Sequence, residues 1–146
     1  MHAHSGELTL KGVKQGDFGK FEVQGFTYSI SHPTDAVTGL SSGKVRGNML
    51  ELMIDIDPSC MMIIQAVNTN EEISGTIKLF KPDAAGRQAT FLKVEIKKAS
   101  CFSYEQVFAA SDTEAMRVKL KLSASELDFE SGGKMAQYQN EYVLNV

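Results

Sequence analysis

Apolar and polar residues alternate strictly in several stretches of the chain, with the two-residue period of a half-buried strand. The cleanest is 50–57. Leu50, Leu52, Ile54 and Ile56 fall on one side, and Glu51, Met53, Asp55 and Asp57 on the other. A slip of one residue would bury the carboxylates of Glu51, Asp55 and Asp57. An unpaired buried charge costs far more than the ~1.5–3 kcal/mol gained per buried aliphatic side chain, so the register is well specified. Residues 117–122 behave alike, with Val118, Leu120 and Leu122 against Arg117, Lys119 and Lys121. Leu8 and Leu10 predict a strand over 7–11. Phe21 and Val23 open a second, and Gly25 breaks its phase before Phe26, Tyr28 and Ile30 resume it. A lone glycine there predicts a bulge or sharp bend. Residues 73–80, with Gly75 inside, and 91–97 flank a turn at 81–87. A mixed aromatic and polar stretch continues over 99–108, and a short last strand is expected around Tyr142 and Leu144.

A single stretch reads as helix. Asp57-Pro58 is a helix start, because Asp is a good N-cap and Pro needs no N–H in the first turn. The pattern predicts a helix from Pro58 to Val67, ending at Asn68. Met61, Met62, Ile63, Ile64 and Val67 leave it little polar face. A helix apolar nearly all round should be covered on several sides. These residues are therefore expected either to plug the β-structure or to meet another subunit, and methionines suit adaptable packing.

Residues 31–48 follow neither period. They include His32, Pro33, Thr34, Asp35, Ala36, Val37, Thr38, Gly39, Leu40 and Gly43. A connection of this length without its own structure is uncommon inside a compact domain, and such loops are usually functional or disordered. The expectation is an arm that orders against another protein chain. The whole pattern predicts a mainly β fold of about eight strands. Its form would be a small antiparallel β-barrel with one short flanking α-helix and a long extended loop, as a single domain over 1–146.

Composition narrows the function. With 146 residues, 42% of them hydrophobic, the chain can bury a real core. A formal charge of -3 gives no electrostatic case for nucleic acid or an anionic membrane. No apolar run approaches the ~20 residues needed to span a bilayer, so no membrane insertion is expected. The N-terminus, Met1-His2-Ala3-His4-Ser5-Gly6, lacks the apolar stretch of a secretory signal, which predicts synthesis in the cytoplasm.

Candidate chemistry is sparse. His2 and His4 sit at the terminus, and His32 has no cysteine or carboxylate set around it at metal-ligand spacing. There is no Gly-x-Ser-x-Gly elbow, P-loop or Gly-x-Gly-x-x-Gly. Asp55 and Asp57 share a strand face, which is more simply a solvated or subunit-facing row. Cys60 stands near a helix start, which can lower a thiol pKa, but no base accompanies it. Cys60 and Cys101 otherwise read as buried thiols. No catalytic, metal or cofactor-binding residue is predicted and no cofactor is expected. The chain reads as an assembly protein rather than an enzyme. The alternatives are a monomeric barrel that binds a small apolar ligand inside, and an enzyme using Cys60 or Cys101.

Several motifs together resemble Hcp (TssD), the tube protein of the bacterial type VI secretion system. Pro33-Thr34-Asp35-Ala36-Val37-Thr38-Gly39, followed by Gly43, resembles that family's loop. Residues 50–56 and the helix start Asp57-Pro58-Ser59 resemble its strand and helix entry, and Phe80 to Gly86 its central hairpin turn. Gly75-Thr76-Ile77 and Asn140-Glu141-Tyr142 look like a divergent branch. The resemblance covers roughly 21–146, and a related tail-tube or spike-adaptor protein is a neighbouring reading. It implies a homohexameric ring, stacked rings, and a tube inside a contractile sheath behind a spike. It further implies effectors in the lumen and secretion through the apparatus. The loop would reach a neighbouring subunit or ring, and the helix would pack beside the barrel.

Overall fold

The computed structural model describes residues 5–31, 46–107 and 116–139. The chain order is β1 (Ser5–Gly12), β2 (Gly16–Ser31), β3 (Arg46–Asp55), α1 (Cys60–Thr69), β4 (Ile73–Pro82), β5 (Gln88–Val107), β6 (Arg117–Ser131) and β7 (Lys134–Gln139). The expected last strand around Tyr142 lies outside the described residues. The strands form one antiparallel sheet in the order β3-β2-β1-β4-β5-β6-β7, and β3 also pairs with β6.

Mainly β with one helix holds, but the expected closed barrel does not. A closed barrel leaves no edge strand. Here β6 divides one edge between two partners: Arg117 to Leu122 pair with β3, and Glu126 to Ser131 pair with β7. β2 instead pairs with β1 along one edge up to Val23 and with β3 along the other from Val23 onward. The seven-stranded sheet curls until β3 meets the first half of β6, and β7 stands outside that contact as the last strand.

A corner in β5 and β6 produces this divergence. In β5 the core-facing residues are Val94 and Ile96, then Ala99 and Cys101. In β6 they are Leu122 and Ala124, then Leu127 and Phe129. Both strands change phase at one level, since Lys97 pairs with Glu126 and Ala99 with Ala124. Lys98 stands there with a left-handed φ of 50°. Strands turn in this way where they pass from one packed layer to another. A second bend matches the sequence expectation: the β2–β3 register shifts between Val23 and Gly25. β6 turns into β7 through Gly132 and Gly133, whose φ values of 59° and 79° fit the tight hairpin turn that needs both positive.

The inner face is filled by Leu8, Phe21, Leu52, Ile77 and Leu120, and α1 adds Cys60, Ile63 and Ala66 to the same core. The helix thus lays one face on the sheet core, while Met61 and Ile64 stay exposed. It begins at Cys60 rather than Pro58, because the Asp57 side chain first closes a turn of its own. Asp57 Oδ1 accepts from the Ser59 N–H at 2.8 Å, and its carbonyl accepts from the Cys60 N–H at 2.8 Å. The helix ends at Asn70, left-handed at φ 55°, where the Glu71 N–H donates to the Ala66 carbonyl at 2.9 Å.

Candidate assembly surfaces

A buried carboxylate just past its end ties α1 to the β1–β2 turn. Glu71 is 3% exposed. Its Oε2 accepts from the Lys14 and Gln15 N–H groups, each at 2.8 Å. Its Oε1 accepts from Gln15 Nε2 at 3.0 Å, which also donates to the Met62 carbonyl at 2.9 Å. The Gln15 backbone bond, outweighing burial, holds this carboxyl below the usual carboxylate range. The β1–β2 turn is thereby latched to the helix. Sequence periodicity carries no sign of this latch; the nearest signal is Gly12, which closes β1 where any Cβ would fall on the Glu71 carboxylate.

The latched helix has one buried and one exposed face. Ile63 is fully buried, and Met62 and Val67 pack half-buried against the core. Met61 is 56% and Ile64 39% exposed. With Gln65 and Asn68 they form one outward stripe at helical spacing. The other predicted contact residues, from His32 to Leu40 and Gly43, lie outside the described residues.

Another surface feature was not foreseen. Tyr28 of β2 reaches Phe129 of β6 at a ring separation of 5.0 Å and Phe26 at 5.5 Å. The Phe129 contact ties the later half of β2 to the second half of β6.

The opposite, polar face of the sheet is ordered by charge. Lys97 Nζ donates to Asp128 Oδ2 at 2.8 Å, and Gln137 Nε2 donates to Oδ1 at 3.0 Å. The Lys97 bond is the main cause that lowers the Asp128 carboxyl and raises the Lys97 ammonium. On the β3–β6 surface, Glu51–Lys121 at 3.7 Å and Asp55–Arg117 at 3.8 Å are exposed pairs, each worth about 0–1 kcal/mol.

The candidate chemical groups are drawn apart. Asp55 faces Arg117 and accepts from Gln24 Nε2 at 3.1 Å, while Asp57 serves the helix start. Burial pushes the Cys60 and Cys101 thiols up, which outweighs any help from the helix start. Tyr104, beside Cys60, is pushed up to about 12, first by burial and then by the thiol. Among the described residues no group of His, Cys, Asp or Glu is placed to hold a metal ion. None of their helices is long and apolar enough to cross a membrane.

Fold and surface together define a mainly β protein with one helix laid on its sheet. The family model of hemolysin coregulated protein Hcp (TssD) matches residues 4–140, and the chain belongs to that family. It is a structural subunit of the type VI secretion tube. The match takes in β1, which the sequence resemblance had left out. Among solved structures, the crystal structure of an Hcp protein superposes with a TM-score of 0.86 at 14% identity, covering 94% of this chain and 98% of that one. Hcp1 from the E. coli EAEC 042 pathovar gives 0.81 at 18% identity, covering 93% and 98%. The secreted protein Hcp3 from Pseudomonas aeruginosa gives 0.78 at 14%, covering 94% and 98%. At these identities the likeness is one of fold. No curated protein matches the chain by sequence.

Proposed function

We propose that six copies of this chain close into a ring, and that the rings stack into the tube of a type VI secretion system. The observation that carries this reading is the family match over residues 4–140. The outward Met61 and Ile64 supply apolar surface for contact between subunits. The loop at 32–45 ties neighbouring subunits or rings, and the chain acts as one domain over 1–146. A contractile sheath surrounds the tube, a spike caps it, and effectors ride in the lumen. The protein is made in the cytoplasm and leaves through the apparatus.

Deleting residues 36–43 tests the loop's part in this. The variant is expected to keep its circular dichroism and thermal transition while ring mass falls in light scattering. A variant that is unfolded, or one whose rings persist unchanged, would overturn that role.

A further inference from the structure

The exposed apolar stripe on α1 has a counterpart at the far end of β2. Tyr28 pairs across the sheet with the fully buried Leu50, yet Tyr28 is 42% exposed, and Ile30 beyond it is 41% exposed. The Phe26 and Phe129 rings, at 5.5 and 5.0 Å, hold Tyr28 in place. A ring already anchored loses little freedom when a partner covers it. β2 begins at Gly16, beside the turn that Glu71 latches to α1, and ends at Ser31, beside Tyr28 and Ile30. The two patches lie at opposite ends of one strand, so only a second copy can bring them together.

Charge singles out the same two places. Residues 23–34 and 58–70 contain no Asp, Glu, Lys or Arg, and they are the two longest such stretches of the chain. The first carries Tyr28 and Ile30, the second Met61 and Ile64. Interface cores are depleted in charge and enriched in aromatic residues and methionine. A contact between two different patches of one chain is heterologous, and repeating it by rotation closes a ring.

We infer that Met61 and Ile64 of one subunit pack on Tyr28 and Ile30 of the next, an inference that rests on the tube reading above. The contact buries apolar side chains from both copies and strands no charge. Gln65 and Asn68, on the same exposed stripe, offer amides to the Tyr28 hydroxyl, which needs a polar partner once its ring is covered.

The test mixes two variants of the full-length chain, each with one patch blocked. Ile30→Glu leaves the Tyr28–Phe129 contact in place, and Met61→Glu with Ile64→Glu acts on exposed positions. Both are expected to keep the wild-type circular dichroism and thermal transition. Should Ile30→Glu fail to fold, Ile30→Ser takes its place. By light scattering each variant alone is expected to fall from ring mass to monomer mass. An equimolar mixture is expected to rise about twofold, to a dimer, because each variant still offers the patch that the other lacks. Rings that persist in either variant, or a mixture that stays monomeric, overturn this contact and leave the tube reading standing. A wild type that is monomeric at every concentration overturns the tube reading and the contact together.

Discussion

Gln15 holds Glu71 with both its backbone and its side chain, through N–H···Oε2 at 2.8 Å and Nε2–H···Oε1 at 3.0 Å. The same amide reaches the Met62 carbonyl, so one residue joins the β1–β2 turn, the helix and the segment after it. This arrangement exists only because Gly12 has no side chain. A Cβ there would overlap Glu71 Oε2 and crowd Phe18 Cε1 at 3.1 Å. Gly12→Ala is expected to destabilise the fold by about 1–3 kcal/mol, read from the urea midpoint at an unchanged slope. A wild-type midpoint would mean that the latch gives way freely.

The latch also predicts acid sensitivity. The Glu71 and Asp128 carboxyls are both lower in the folded chain than their ordinary values. A depressed carboxylate contributes stability that is fully present above the ordinary carboxylate range. That stability is lost as pH falls through the lower folded value. Thermal stability should therefore drop on acidification below the ordinary range, and Glu71→Gln should flatten part of that drop while lowering stability at neutral pH. Parallel pH profiles for the two proteins would show that Glu71 does not titrate with folding.

At the β5–β6 corner, Lys98 carries a φ of 50° that L-residues avoid. Its ion pair with Glu126, 3.8 Å and exposed, offsets little of that cost. Lys98→Gly is expected to stabilise by about 0.5–1 kcal/mol in chemical denaturation, because relief of the left-handed strain exceeds the entropy of the added glycine. A loss of stability would place the strain elsewhere.

The two sides of α1 should separate folding from assembly. Ile63→Ala removes a fully buried side chain and is expected to cost about 2–5 kcal/mol of subunit stability. Met61→Ser with Ile64→Ser acts on exposed positions and should stay within about 0.5–1 kcal/mol in stability while lowering the oligomeric mass. Rings of unchanged mass in the double variant would remove this stripe from the subunit contact.

Strands with a face of constant phase were legible in the sequence. Leu50, Leu52 and Ile54 are buried as the alternation required, and the break at Gly25 became a shift in register. The helix was legible to within two residues at each end, because Asp57 and Pro58 marked its start. The second half of β6 was not. Its buried residues pass from Ala124 to Leu127, and a phase change of that kind erases a two-residue period. The closed barrel failed for the same reason, since the corner decides which strand β6 meets. Periodicity alone did not divide the helix into inner and outer residues, because Ile63 and Ile64 are equally apolar; in the fold Ile63 joins Cys60 and Ala66 in the core and Ile64 is exposed. The Glu71 network joins residues 56 and 57 positions apart and leaves no local trace.

Negative-stain electron microscopy of the purified wild-type chain, with light scattering for mass, bears on assembly before any variant is made. Six-membered rings with an open centre, at the mass of six subunits, are expected. A monomeric mass across a wide range of concentration, with no rings in the images, would overturn the reading of this chain as a self-assembling tube subunit.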